Sequence, residues 1–300
     1  MSLTITGASG HLAAAVAQRV TEMRGGDGDL VLATRSPAAV GTRSGAEIRF
    51  ADFSDPTSLG AAFRDTTRLL LISADDIQRR AGWHRAAIDA AKAAGAGHII
   101  YTSMVEPVAT NPAVIADSHR ATEEYLVASG VPYTILRCAL YSDFQVFEAA
   151  EAVAAGEFRH NRGDGGCSYV SRADCAAVAA AVLAGGDDQG GVIDVTGPQA
   201  LTASDLAALY SEASGVAIRP VEVSDDEMAE ALLPADGADP DGHAQYGAAL
   251  AVSLGRAIRE GFFGRVTTTV RDLTGVEPAT VAELLEEHRS MLRSGVTHGA

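Results

Sequence analysis

A chain of 300 residues with 47% hydrophobic and 21% charged residues has ordinary folded-protein composition, enough for one large domain with an appended lobe, which excludes a disordered chain. Its net charge of −16 and scattered basic residues argue against a nucleic-acid partner. No apolar run reaches the roughly 18–20 residues of a membrane span, no signal peptide is evident, and Cys138, Cys167 and Cys175 lack metal or redox spacing, so a cytoplasmic protein free of membrane and metal is expected.

Strands are expected at Leu3–Thr6, Leu30–Thr34, Glu47–Asp52, Arg68–Ile72, His98–Thr102, Tyr133–Arg137 and Val192–Thr196, several apolar throughout as parallel strands buried on both faces are. Helices fall between them. His11–Met23 carries Leu12, Val16 and Val20 on one stripe, Asp55-Pro56 opens the next helix, and Ile77–Ala94 ends at Gly95. The alternation predicts an α/β fold, a doubly wound parallel sheet of the Rossmann type. After Arg137 it breaks down: Tyr141–Glu157 and Ser171–Leu183 read as helices around a Gly163–Gly166 turn. Beyond Gly197 the pattern is mainly helical, with capping boxes at Thr202–Asp205 and Ser224–Glu227, an acidic Gly/Pro loop at Pro234–His243, and a last helix opened by Pro278. The expected division is residues 1–140 plus about 170–197 for the Rossmann domain, and about 141–169 with 198–300 for a smaller substrate-binding lobe.

The sharpest motif is Thr6-Gly7-Ala8-Ser9-Gly10-His11-Leu12-Ala13, between the first strand and first helix. Gly7 permits the tight turn, Gly10 leaves room for a pyrophosphate at the helix N-terminus, and Ala13 lets helix pack on strand. Arg35, after the second strand, offers a guanidinium where an acid would bond a free ribose 2′-hydroxyl, which favours NADP(H) over NAD(H). Asp52 is read as an acceptor for the adenine amino group, with Phe53 beside the ring.

With these motifs, ADFSDPTSL at Ala51–Leu59, LLLIS at Leu69–Ser73, AAKAAGAGHIIYTS at Ala90–Ser103, GVPYTILRCALYSDF at Gly130–Phe144 and VSRADCAAVAAAVL at Val170–Leu183 complete a family pattern. The chain resembles the NmrA-like branch of atypical short-chain dehydrogenases/reductases, nearest to bacterial NADPH-dependent quinone oxidoreductases and triphenylmethane dye reductases. The resemblance implies that Gly7, Ser9, Gly10, His11 and Leu12 hold the pyrophosphate, Arg35 the 2′-phosphate, and Asp52 and Phe53 the adenine. It implies further that Ile72, Ser73, Thr102, Ser103, Cys138, Ala139 and Leu140 line the route to nicotinamide, with Tyr141 and Phe144 in the substrate wall.

The wider superfamily's Tyr-x-x-x-Lys dyad is missing. The sole lysine, Lys92, has Ile88 four residues before it, and Ile115 and His119 occupy the usual dyad positions. An acceptor that delocalises the incoming electrons needs little acid help, so the inventory points to NADPH-dependent hydride transfer onto a quinone or similar aromatic acceptor, with His119 the candidate catalytic group. The rival reading is a non-catalytic NADP-binding sensor of the NmrA type. Arg172 and Asp174 read as a helix-start contact, and Trp83 and His84 as packing or surface residues. A monomer or homodimer is expected.

Overall fold

Branched apolar runs form strands when both faces can be covered, and helices cover both faces of each such run here. A computed structural model describes residues 2–26, 28–40, 45–185, 190–234, 239 and 242–294. Chain order is β1 Ser2–Thr6, α1 His11–Arg24, β2 Leu30–Thr34, β3 Glu47–Phe50, α2 Pro56–Ala62, β4 Thr66–Leu71, α3 Ile77–Ala93, β5 His98–Met104, α4 Ala116–Ala128 and β6 Tyr133–Cys138. Then come α5 Phe144–Ala155, β7 Glu157–His160, α6 Arg172–Ala184, β8 Gly191–Val195, α7 Ala203–Ser214, β9 Arg219–Glu222 and α8 Asp225–Leu232. The chain continues through α9 His243–Arg259, α10 Thr269–Thr274, α11 Val281–Glu287 and α12 Arg289–Ser294.

Seven strands lie parallel in the order β3–β2–β1–β4–β5–β6–β8, a Rossmann-like sheet. Alternation within each strand feeds two cores. Leu70 and Ile100 join α1 and α6 on one face, whereas Leu69, Leu71, Ile99 and Tyr101 join α2, α3 and α4 on the other. The first core runs on without a break into the C-terminal helices, through Leu206, Tyr210, Leu285 and Leu292.

Local signals end these elements where expected. Asp55 caps α2 by accepting from the Thr57 N–H at 3.0 Å, Gly25 closes α1 at φ +70°, and Gly95 takes φ +78° just past α3. Both predicted capping boxes form, on α7 and α8.

Three expectations need correction. The helix expected over Tyr141–Glu157 covers Phe144–Ala155 only, because Gly156 adopts φ +70° and Glu157 begins β7. β7 pairs in parallel with β9 in a separate two-stranded sheet, where the sequence predicts no strand: the expected helix runs through Glu157, and the chain beyond Gly197 reads as mainly helical. Pro220 sits within β9, which pairs on one side only, so its missing N–H costs no ladder bond there. The final helix starts past Pro278, with Thr280 and Glu283 forming a further capping box, and breaks at His288 into α11 and α12. Within the predicted loop Pro234–His243, residues 235–238, 240 and 241 lie outside the described residues, and His243 opens α9.

No helix among the described residues is long and apolar enough to cross a membrane.

Candidate active site

The chain leaves β1 toward β2 and β3, then crosses back to β4 on the other side of β1, so the carboxyl ends of β1 and β4 open a crevice. A row of threonines fixes its floor. Thr6 Oγ1 donates to Leu70 O at 3.2 Å and accepts the Ile72 N–H at 2.9 Å; Thr102 Oγ1 accepts the Ser73 N–H at 3.0 Å. The resulting groove has a volume of about 1040 Å³.

Gly7 leaves β1 at φ +63°, which an L side chain rarely adopts, and Gly10 N–H bonds back to Gly7 O at 2.8 Å. Gly10 is the N-cap of α1 without a side-chain cap, and the first turn carries no acid. The helix bond from Ala14 N–H to Gly10 O measures 3.0 Å, so the N–H groups ahead of it point out of the helix end. A Cβ on Gly10 would stand 3.2 Å from Gly7 O. Bare glycine, outward N–H groups and the positive end of the helix dipole fit a bound pyrophosphate.

Arg35 follows β2 and is an exposed lining residue of the groove. Asp52 accepts from Ser54 N–H at 2.9 Å and Ser54 Oγ at 2.7 Å through one oxygen, and these bonds hold its carboxyl below the usual range. Phe53 meets His84 edge-on at 6.1 Å.

A second chamber of about 390 Å³ adjoins the groove; Ser73, Ala74, Asp75, Thr102, Tyr141 and Phe144 line both. Its walls are mainly apolar, with Met104, Ile115 and Leu140 from the sheet side and Leu250, Leu254 and Ile258 from α9. The Val114 N–H donates to Ser253 Oγ at 3.2 Å, tying α9 to the segment before α4.

Behind this junction lies a buried polar network. Arg80 Nε donates to Ala74 O at 2.6 Å, while its Nη1 reaches Ser118 Oγ at 3.3 Å and His119 Nε2 at 3.2 Å. Arginine can only donate, so His119 Nε2 accepts and a neutral ring carries its proton on Nδ1, 2.8 Å from the Tyr101 hydroxyl. His84 follows the same logic: Nε2 accepts the Ala74 N–H at 3.0 Å, and Nδ1 faces Thr122 Oγ1 at 3.0 Å. Burial, with the Arg80 charge adding to it, lowers His84 to about 3 and holds His119 well below the usual imidazole value. Burial also pushes the Tyr101 phenol well up.

Most site residues expected from sequence therefore come together. Gly7, Ser9, Gly10, His11, Leu12, Arg35, Asp52, Phe53 and Ile72 line the groove. Ser73, Thr102, Tyr141 and Phe144 stand at the junction, and Ser103, Cys138, Ala139, Leu140 and His119 line the chamber. Several of these have side chains already engaged by the protein, Ser9, Asp52, Thr102, Ser103, Cys138 and His119 among them. Ser103 Oγ donates to Glu123 at 2.6 Å, and both ring nitrogens of His119 have protein partners, so its route to a ligand runs through Arg80. The helix-start contact expected between Arg172 and Asp174 does not form: Ser171 caps the helix by accepting the Asp174 N–H at 2.9 Å, and Arg172 pairs with Asp143 at 2.9 Å and lies over the Tyr141 ring. Trp83, read as packing or surface, lines the groove. Arg80 and the α9 residues were not singled out from sequence. A signal existed for Arg80: it shares the buried stripe of α3 with His84, Ile88 and Ala91, an odd place for a cation.

Fold and site define a Rossmann-type NAD(P)H-dependent oxidoreductase. The chain belongs to the NAD(P)H-binding family whose model matches residues 7–185. Quinone oxidoreductase 2 of Escherichia coli (strain K12) is 35% identical over 283 residues, 94% of this chain and 96% of that protein. A crystal structure of the Escherichia coli NADPH-dependent quinone oxidoreductase complexed with NADPH superposes with a TM-score of 0.87 at 33% identity, over 95% of this chain and 98% of that one. The Citrobacter sp. triphenylmethane reductase structure gives a TM-score of 0.86 at 27% identity, over 97% and 100% of the two chains. The likeness to NmrA-like quinone and dye reductases read from the motifs thus holds.

Proposed function

We propose that the protein reduces a quinone or similar conjugated small molecule with NADPH, which it takes in preference to NADH. The observation that carries this reading is the junction at Ser73–Asp75, Thr102, Tyr141 and Phe144, where a dinucleotide-sized groove opens into an apolar chamber. When bound, the reduced nicotinamide supplies the hydride. Gly7, Ser9, Gly10, His11 and Leu12 would receive the pyrophosphate, and Arg35 the 2′-phosphate that distinguishes the two coenzymes. Asp52 and Phe53 would border adenine; Ile72, Ser73, Thr102, Ser103, Cys138, Ala139 and Leu140 would border the nicotinamide end. Tyr141 and Phe144, stacked with ring centroids 6.5 Å apart, would hold a flat acceptor. The Rossmann part, 1–140 and about 170–197, would bind the dinucleotide, and the remainder would shape acceptor choice.

No phenol–lysine pair supports acid catalysis in this reading. Lys92 lies in the last turn of α3, near the amino end of β5, where Nζ donates to Ser129 O at 2.7 Å, away from both cavities. Apolar Ile115 and His119 line the chamber at the two dyad positions. Orientation and water exclusion then supply most of the acceleration, which suits an acceptor that delocalises charge. The test is NADPH consumption with a panel of quinones, enones and dyes. Turnover with quinones, faster with NADPH than NADH, is expected. Cofactor binding without turnover on any acceptor overturns the reading in favour of a sensor.

A further inference from the structure

Among the charged groups around the chamber, Arg80 is unusual. It is only 7% exposed, yet its hydrogen bonds go to a carbonyl, a hydroxyl and an imidazole, with no ion pair to a carboxylate among the described residues. Asp75 and Asp76 act on it only at longer range. Arg162, the other arginine lining the chamber, is neutralised by Glu148 at 2.5 Å. Arg80 is thus a buried cation of the chamber that no carboxylate contacts directly among the described residues.

Its geometry is fixed on three sides. Ala74 O takes the Nε–H, and Ser118 Oγ and His119 Nε2 take Nη1. Nη2 has no protein partner among the described residues, and it is not among the sealed, unpartnered buried atoms. Since Arg80 lines the chamber, these remaining N–H groups are available to a ligand there. Ala74, to which the guanidinium is tied, lines both cavities, so the cation stands beside the junction.

We propose that Arg80 binds the acceptor oxygen on which negative charge develops, making the chamber selective for acceptors reduced to oxyanions over cationic ones. The proposal rests on the reductase reading above. As hydride adds to a quinone, an electron pair passes to a carbonyl oxygen; the reduced nicotinamide becomes oxidised, and the hydroquinone anion later takes a proton from water. A preorganised guanidinium in a mainly apolar chamber stabilises that charge more than the neutral ground state. A cationic dye becomes neutral on reduction, so it gains nothing from Arg80 and is repelled beforehand. His119 is then a positioning residue that holds Nη1, which accounts for a buried neutral imidazole beside a cation.

Two measurements test this. In the first, Arg80→Met is compared with the unmodified protein using a quinone and a cationic triphenylmethane dye, with NADPH binding as the folding control. The ratio of kcat/KM for quinone over dye is expected to fall roughly a hundredfold, the scale of losing one oxyanion donor, and Arg80→Lys to recover part of it. An unchanged ratio, with both acceptors harmed alike, makes Arg80 a structural strut and overturns the proposal. The second needs no turnover and no variant. With NADP⁺ present, 4-nitrophenol is titrated against the unmodified protein across its own ionisation, followed by absorbance. The anion is expected to bind at least about tenfold tighter than the neutral phenol. Equal affinity overturns the proposal even if quinones are reduced. Preferential anion binding without NADPH oxidation on any quinone supports the Arg80 site while removing the reductase reading.

Discussion

Arg80 on α3 and His119 on α4 meet with Nη1 3.2 Å from Nε2, a contact that requires an unprotonated imidazole. The contact ties the interior to pH. Burial lowers His84 to about 3 and His119 well below its ordinary value, and buried His160 shifts in the same direction. In the unfolded chain each ring takes a proton near pH ~6.5, whereas in the folded chain each does so only at lower pH, and His84 and His119 only far lower. The unfolded state therefore binds more protons across this window, and stability falls as pH drops from about 6.5 toward 3, by up to roughly 1.4 kcal/mol per pH unit for each histidine. Urea unfolding between about pH 7 and 5, above most carboxylate titration, measures the slope. His84→Asn is expected to flatten it; an identical slope in the variant would remove His84 from the account.

Arg35 lies exposed on the groove wall. Arg35→Ala is expected to weaken NADPH binding roughly ten- to hundredfold, about 1.4–2.7 kcal/mol, and to leave NADH nearly unchanged. Fluorescence titration with both coenzymes reads the difference, and equal losses would place the 2′-phosphate elsewhere.

Gly10 predicts the opposite pattern. Its added Cβ would press on Gly7 O at 3.2 Å and stand where an anion approaches. Gly10→Ala is expected to weaken both coenzymes about equally, roughly tenfold, through the pyrophosphate they share. A selective loss of NADPH alone would contradict this.

Glu123 joins β5 to β6 from α4, accepting from Arg137 at 3.0 and 2.6 Å and from Ser103 at 2.6 Å. Glu123→Leu leaves three donor groups on two residues unmatched and is expected to cost about 3 kcal/mol, the low end for a buried pair because the Arg137 side chain is 26% exposed. Adding Arg137→Met should restore much of the loss, as chemical denaturation will show. A double variant weaker than the single would mean that packing, not the stranded charge, sets the cost.

Ala251 lines the chamber from the exposed side of α9. Ala251→Trp is expected to lower kcat/KM for a quinone roughly tenfold by filling space, with NADPH affinity unchanged. If the coenzyme's affinity drops instead, the chamber is not where the acceptor sits.

The amino-acid order alone determined the sheet, the turn at Gly7–Gly10 and the cation at Arg35, because each is written in local terms. Apolar runs mark doubly covered strands, a positive φ requires glycine, and a strand end carries its side chain with it. Thr202 with Asp205 and Ser224 with Glu227 were legible for the same reason, since a capping box closes within four residues. Tertiary structure alone decided the pairing of β7 with β9, two short strands about sixty residues apart whose hydrogen-bond partners no local pattern specifies. It also decided the roles of Arg80 and His119. A polar residue on a buried helical stripe is defined by the groups that other elements bring to it, and those of Arg80 come from the segment after β4 and from α4.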